Sequence, residues 1–215
     1  MPTKYDKREY RKIDAGLMET RTAEDGAKTV EGYATTFNAP YQLWRDKDIT
    51  VNEQVDAHAF DETDMTDVIM QYDHEGRVFA RIANGTLEIN PDEHGLHIRA
   101  NLGGTEIGRQ LFEEIHGGYT NKMSFGFTVT GEKKERTEDK NGHVTVLRTI
   151  TKIGKLYDVS AVSLPANDAT EISARTIGDG LIAEALKEVQ AEKERQRRIG
   201  EIRKILKLEE PNHDD

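Results

Sequence analysis

The sequence of 215 residues contains no cysteine, five prolines and one tryptophan. The missing cysteines exclude a disulfide scaffold, a cysteine-based zinc site, an iron–sulfur cluster and a cysteine nucleophile. No stretch approaches the roughly 18 apolar residues of a membrane span. No apolar segment follows the charged N-terminus, as it would in a signal peptide. We therefore expect no membrane partner, and a protein that acts in a cytoplasm.

Positive charge is scarce, because 30 Lys and Arg residues stand against 40 Asp and Glu, for a net charge of −10. A general nucleic-acid binder needs a basic surface to displace counterions, so we expect no nucleic-acid partner. Only 35% of the residues are hydrophobic and 33% are charged, which is polar for a fully globular chain. Part of the chain is therefore expected to be an exposed arm or tail.

Alternation of apolar and polar residues predicts a mainly β body with at least seven strands. The segments with this period of two cover residues 30–37, 78–82, 87–89, 96–102, 123–129, 144–153 and 156–164. Between them, Ile107, Leu111 and Ile115 share one helical face, so residues 105–116 are predicted to form a helix.

The composition divides the chain into three parts. Residues 1–11 are charged and are predicted to form a flexible N-terminal arm, and residues 12–175 to form one β domain. Residues 176–215 are rich in charge but keep a helical stripe of apolar residues, which predicts an amphipathic helix or helix pair. The architecture expected from the pattern is thus a β domain followed by a helical tail.

Ser124 is the candidate nucleophile. Met123 and Phe125 on either side are expected to face the core, whereas Gly126 shares the face of the serine and leaves room for a substrate backbone. A serine in a strand is most often a plain strand residue, so this pattern alone does not establish catalysis. The chain lacks the Gly-x-Ser-x-Gly elbow of the α/β-hydrolases, which disfavours that class.

Histidine is the usual general base near neutral pH, and the chain has seven. His74 stands out because it lies between Asp73 and Glu75, just before a predicted strand. His94 and His97 are three residues apart, but an odd spacing along a strand sends side chains to opposite faces. We therefore interpret these two as surface histidines rather than metal ligands.

Asp158 is a charge within an otherwise apolar strand over residues 156–164. A buried carboxylate is costly unless something pairs with it. One such partner is an imidazole whose other nitrogen contacts a serine. From the residues alone, a simple salt bridge or an exposed strand face is the more common explanation.

Several segments, taken in order and at these intervals, carry a resemblance to a known family. They are Glu31–Asn38, Asp73–Glu75, Asp92–Leu96, the helix at 105–118, Met123–Phe127 and Leu156–Asn167. Together they resemble the prohead (procapsid maturation) protease family of tailed bacteriophages, which is distantly similar to herpesvirus assemblin. The resemblance covers about residues 12–175, and its Met-Ser-Phe-Gly-Phe and Pro-Ala-Asn segments are the most specific.

The resemblance implies a serine endopeptidase that works through an acyl-enzyme and needs no cofactor or metal. It implies Ser124 as nucleophile, His74 as general base and Asp158 as the residue that orients the histidine. Asp158 stands where the family often has a glutamate, and Asp73 stands where an asparagine is common.

An oxyanion hole is also required, since donors aimed at the developing charge supply much of the rate. We place it in the loop after the Asp158 strand. Pro165 has no N–H to donate, so Ala166 and Asn167 are the candidate donors.

The resemblance further implies a closed, mainly antiparallel β-barrel of about seven strands with peripheral helices. It implies that the substrates are the scaffold or the scaffold-like segment of the major capsid protein, and often the protease itself. The place of action would be the assembling procapsid in the host bacterial cytoplasm, with self-association into a dimer or larger assembly. The helical tail is then an arm that helps package the enzyme, or a solvated helix, or a dimer contact.

Two other classes compete with the endopeptidase. A catalytically silent capsid scaffold or assembly protein would explain the charged helical tail, but it needs no combination of Ser124, His74 and Asp158. A metal-dependent hydrolase would be expected to carry a His-Glu-x-x-His helix, which this sequence lacks.

Overall fold

The structure, a computed structural model, describes residues 8–13, 18–23, 27–163 and 178–206. These residues form eleven β-strands, one short 3-10 helix and two α-helices. The strands are β1 (Arg8–Ile13), β2 (Glu19–Thr22), β3 (Lys28–Thr36), β4 (Tyr41–Arg45), β5 (Ile49–Val55), β6 (Ile69–Tyr72), β7 (Glu75–Arg81), β8 (Leu87–Pro91), β9 (Gly95–Asn101), β10 (Lys122–Glu138) and β11 (Val144–Val162). The 3-10 helix covers Ile82–Asn84, α1 covers Glu106–His116 and α2 covers Gly178–Leu206. The mainly β architecture expected from the sequence is confirmed.

The strands form two sheets. The first has the order β1-β10-β11-β5-β4, with β6 pairing with β11 and β7 with β6; the second has the order β2-β3-β9-β8. Within the described residues neither sheet closes on itself, so the closed barrel is not confirmed. The second sheet meets the first at an isolated bridge between Phe37 and Val55. One bridge is too little pairing to turn two sheets into a continuous ring.

The two sheets share a hydrophobic core. Val30 and Ile98 come from the second sheet, whereas Phe125 and Val159 come from β10 and β11, and all four are fully buried. Helix α1 adds Leu111, Phe112 and Ile115 to the same core, as the helical spacing predicts. This core holds β10 and β11 rigidly by one face and leaves their other face for polar side chains.

Strand β11 is a single element of 19 residues where the sequence suggested two strands. The sequence pattern is interrupted at Gly154, but the strand continues through this residue. A Cβ at position 154 would lie only 2.7 Å from Thr130 Cγ2 on the neighbouring strand β10. Glycine therefore lets the paired strands β10 and β11 approach closely where their register is irregular, and it does not end β11. The length of β11 matters, because it pairs in parallel with β5 through its first part and with β6 through its last.

Helix α2 is one continuous helix and packs on the β5 side of the first sheet. Ile182, Ala185 and Val189 bury an apolar stripe against Ile49 and Val144. Farther along, Ile202 is exposed. None of the helices in the described ranges is both long and apolar enough to cross a membrane.

Strand β1 begins at Arg8 and therefore takes in the last residues of the segment predicted as a flexible arm, residues 1–11. It pairs antiparallel with β10 over its whole length, with Lys12 opposite Ser124 and Tyr10 opposite Gly126. Its alternate residues Glu9 and Arg11 are buried. The charged composition hid this strand, because its buried side chains are themselves charged.

The two buried side chains of β1 belong to what we call the ionic cluster: Glu9, Arg11, Glu53 and Arg148. Arg11 contacts Glu53 through Nε at 2.5 Å and Nη2 at 3.0 Å, and Arg148 Nη1 lies 2.6 Å from the same carboxylate. Glu9 contacts both arginines, at 2.5 Å and 2.8 Å. At the edge of the cluster Arg148 also contacts Glu132 at 2.7 Å, so every charge has a partner of opposite sign.

Protonation in the ionic cluster follows this pairing. Burial alone would raise the pKa of Glu53, but Arg11 and Arg148 outweigh burial and lower this pKa from 4.5 to about 2. Burial acts to lower the pKa of Arg11 as well, and the charge of Glu53 outweighs it and raises this pKa. Glu53 and Arg11 are therefore ionised at neutral pH, and their contact ties β1 to β5.

Candidate active site

Ser124, His74 and Asp158 lie in direct contact. Ser124 Oγ is 2.5 Å from His74 Nε2, and His74 Nδ1 is 2.5 Å from Asp158 Oδ2. Ser124 is fully buried, Asp158 is 1% exposed, and the His74 side chain is 11% exposed. The three residues named by the sequence are thus brought together from positions 50 and 84 residues apart.

The pairing of β10 with β11 sets the positions of the serine and the carboxylate. Ser124 lies opposite Ser160, and Gly126 lies opposite Asp158. Residues two apart on a strand share a face, so these four residues stand side by side on the face away from the Phe125 core. The same alternation that buries the core therefore presents the polar side chains as one row.

His74 reaches this row from the hairpin between β6 and β7. Tyr72 pairs with Glu75, and the two residues between them have positive φ, 48° at Asp73 and 62° at His74. Such angles at both loop residues are those of tight hairpin turns, and they are uncommon for histidine.

Asp73 secures the strained turn. Its backbone N–H donates to the carbonyl oxygen of Ala161, and its carboxylate accepts from the backbone N–H of Ser163 at 3.2 Å and from its hydroxyl at 2.9 Å. Aspartate tolerates a left-handed backbone, so it suits this position of the turn. The turn is thereby fixed to β11, the strand that carries Asp158.

Gly126 makes room for the carboxylate. A Cβ at this position would lie 2.4 Å from Asp158 Oδ1 and 2.9 Å from the Tyr10 ring. Asp158 Oδ1 is buried without a hydrogen-bond partner among the described residues, and Arg8 Nη1 is 3.9 Å away. The Asp158 carboxylate therefore fits only because residue 126 has no side chain, and the nearby Arg8 guanidinium compensates part of its charge.

Ser160 is a member of the site that the sequence analysis missed. Its hydroxyl donates to Asp158 Oδ2 at 3.0 Å and lies 3.3 Å from His74 Nδ1. We call Ser124, His74, Asp158 and Ser160 the serine cluster. The signal was available, because Ser160 stands two residues after Asp158 and so shares its face.

This arrangement can transfer the hydroxyl proton of Ser124 to His74 Nε2. The carboxylate at Nδ1 favours the tautomer with the proton on Nδ1, which leaves Nε2 free to accept the serine proton. Ser124 Oγ has a second acceptor within reach, the carbonyl oxygen of Arg11 at 2.9 Å. The geometry suits general-base activation of an alcohol nucleophile.

The remaining sequence candidates fall elsewhere. Ala166 and Asn167, the expected oxyanion donors, lie outside the described residues. The rings of His94 and His97 both pack edge-on to Tyr33, with centroids 4.5 Å and 5.2 Å away. Across the described ranges, no group of three or more His, Asp or Glu side chains is placed to hold a metal ion.

Comparison with known proteins adds a family. A family model described as the caudovirus prohead serine protease matches residues 17–181. Among solved structures, the bacteriophage T4 capsid assembly protease is similar at 14% identity and a TM-score of 0.38, over 72% of this chain and 95% of that chain. No curated protein matches the chain.

Proposed function

The chain belongs to the caudovirus prohead serine proteases, and we propose that Ser124, His74 and Asp158 are the catalytic residues of its protease activity. The observation that carries the assignment is the unbroken path of two 2.5 Å contacts from Ser124 Oγ through the imidazole to Asp158. A capsid scaffold without catalytic activity would have no reason to hold a buried serine, histidine and carboxylate in this order.

The proposed reaction is peptide hydrolysis through an acyl-enzyme. His74 Nε2 removes the proton from Ser124 Oγ as the oxygen attacks the substrate carbonyl carbon, and then delivers this proton to the leaving amine. Water, activated by the same nitrogen, releases the acyl group. Asp158 holds the imidazole in its reactive tautomer and stabilises the imidazolium that forms. The backbone N–H groups of Ala166 and Asn167 remain the proposed oxyanion donors.

The proposed substrates are the scaffold or the scaffold-like segment of the major capsid protein, and the protease itself. The family acts in capsid maturation, so we place the cleavage inside the assembling procapsid in the host bacterial cytoplasm. Self-association and packaging through the 176–215 tail are parts of the same proposal. The exposed Ile202 on α2 is compatible with such a contact.

The test is coexpression of the protease with its capsid protein, with both chains followed by mass spectrometry. We expect Ser124→Ala to lower cleavage by roughly 10⁶-fold, to background, while the fold persists. Thr128→Ser, on the same strand, is the matched control and should cleave normally. Undiminished processing by Ser124→Ala would refute the assignment and favour the silent scaffold.

A further inference from the structure

Access to the nucleophile is blocked in this structure. Ser124 is fully buried, and so is Ser160 beside it. Attack on a peptide requires the serine oxygen to approach a carbonyl carbon, so some element must move before a substrate can bind. This requirement rests on the proposed function, in which Ser124 is the nucleophile.

The covering element is β1. Lys12 pairs with Ser124, and the ring of Tyr10 stands over Gly126 and packs edge-on against the His74 ring with centroids 4.5 Å apart. The Arg11 carbonyl oxygen accepts a hydrogen bond from Ser124 Oγ at 2.9 Å. This carbonyl presents its oxygen to the serine and competes with His74 for the serine proton. Strand β1 therefore lies where an extended substrate would lie, in an unreactive arrangement.

Strand β1 is also the element best placed to leave. Within the described ranges it is an edge strand that pairs with β10 alone. Its release would vacate backbone groups on β10 that an incoming peptide strand can satisfy in the same way, which is how many extended peptides bind to sheet edges. We infer that the β10 edge beside Ser124 is the docking site of an extended segment of the substrate protein, and that β1 occupies this site and must be released first.

The ionic cluster permits this exchange at a limited electrostatic cost. Glu9 and Arg11 contact each other at 2.5 Å and leave together with β1, whereas Glu53 and Arg148 contact each other at 2.6 Å and stay behind. Arg148 also contacts Glu132 of β10 at 2.7 Å, so it stays behind with two carboxylates. Every acid and every base of the cluster thus keeps at least one partner of opposite charge, and release avoids an unpaired buried charge, the most costly outcome for a buried ionic group. The ionic cluster thus stabilises the bound position of β1 and still allows β1 to be released.

The experiment locks β1 reversibly. Arg8 and Thr128 lie directly opposite each other at the N-terminal end of β1, close enough for a disulfide between cysteines. Because the chain has no other cysteine, the Arg8→Cys/Thr128→Cys variant can form only this intramolecular bond. Labelling of Ser124 by a fluorophosphonate is measured on the full chain, oxidised and after reduction.

The matched control is Glu88→Cys/Arg99→Cys, which places the same crosslink between exposed partners on β8 and β9. The loss of Arg8 beside Asp158 lowers labelling equally in both redox states, so each variant is compared only with its own reduced form. We expect oxidation to slow labelling of the β1 variant about tenfold or more relative to that form, in proportion to the lost open population. The control should label equally in both states, and Ser124→Ala should not label. Equal labelling of the β1 variant in both states would overturn the inference and leave the proposed function intact.

A second measurement needs no substitution. In hydrogen exchange of the wild-type chain, β1 amides should exchange by local opening, well before the amides of β11. Protection of β1 equal to that of β11 would also overturn the inference. Failure of the reduced variant and the wild type to label or to cleave the capsid protein would instead contradict the proposed function, and this inference with it.

Discussion

Two buried polar clusters have strand β11 in common and lie on opposite faces of the sheet, yet they differ in how they are stabilised. The ionic cluster gives each of its charges a partner of opposite sign, and Tyr41 also donates to Glu53 at 2.5 Å. The serine cluster instead leaves Asp158 Oδ1 without a hydrogen bond and holds His74 at a φ of 62°. Buried polarity alone therefore does not identify an active site.

The difference teaches where to look for function. A cluster whose only task is to hold strands together settles into low-strain, fully paired geometry. A cluster that must transfer a proton keeps strain and unmet hydrogen-bonding capacity, which persist because the surrounding structure enforces them. Here the hydrogen-bonded turn at Asp73 holds the His74 backbone, and the absence of a side chain at Gly126 makes room for the Asp158 carboxylate. Substitutions in the two clusters should therefore fail in different ways.

Among the substitutions that test this comparison, the largest effect is expected from Asp158→Asn. The amide no longer enforces the tautomer that leaves Nε2 free, so the rate of Ser124 labelling and of capsid-protein cleavage should fall about 10⁴-fold. The fold should persist, because the side chain keeps its shape. Asp92→Asn, an exposed aspartate that accepts from Tyr33 at 2.8 Å, is the control and should keep wild-type activity. Full activity of Asp158→Asn would contradict the catalytic role that we propose for the serine cluster.

The serine cluster was largely predictable from the sequence. Ser124, His74 and Asp158 each stand out in the sequence, and the resemblance assigns them to one catalytic site. The conformation of the His74 turn was not predictable, because neither Asp73 nor His74 is a residue type that requires a left-handed backbone. Long-range hydrogen bonds, not local preference, impose these angles.

The next largest effect is on stability. Arg148→Met removes a base that contacts three carboxylates: it leaves Glu9 and Glu53 to share Arg11 and takes a partner from Glu132. The free energy of unfolding in urea should therefore fall by about 3–5 kcal/mol. The folded fraction should label at Ser124 no more slowly than wild type. Arg136→Met is the control, because Arg136 pairs with Glu138 at an exposed site, and its change should stay within about 0.5 kcal/mol. Loss of labelling in folded Arg148→Met would mean that the two clusters are one functional unit.

The ionic cluster was not predicted, for an identifiable reason. Strand β1 alternates charges on both faces, so hydrophobic periodicity carries no signal there. Glu53 did leave a trace, since it takes the place of an apolar residue in the buried alternation of Ile49, Val51 and Val55. A charge at such a position predicts a buried partner but does not say which distant residue supplies it.

The pH dependence of stability should separate the clusters further. The pKa of Glu53 is lowered from 4.5 in the unfolded chain to about 2 in the fold, so its contribution is complete above pH 4.5 and is lost as the pH falls toward 2. By linkage this contribution is about 3 kcal/mol. Between pH 4.5 and pH 2, the free energy of unfolding in urea should fall by about 3 kcal/mol more for wild type than for Glu53→Gln. Glu88→Gln, an exposed control, should follow wild type. Parallel curves for wild type and Glu53→Gln would contradict the ionic role.

The smallest effect is expected from Ser160→Ala, and it tests whether the serine cluster works as a unit. The hydroxyl of Ser160 donates to the same oxygen, Asp158 Oδ2, that receives the imidazole N–H. Its loss should slow Ser124 labelling about tenfold, which is the net worth of one hydrogen bond to a charged group. Because Ser160 acts through Asp158, the same substitution should have almost no effect in an Asp158→Asn background. An equal loss in both backgrounds would show that Ser160 only fills space, as an apolar residue does in the core on the opposite face.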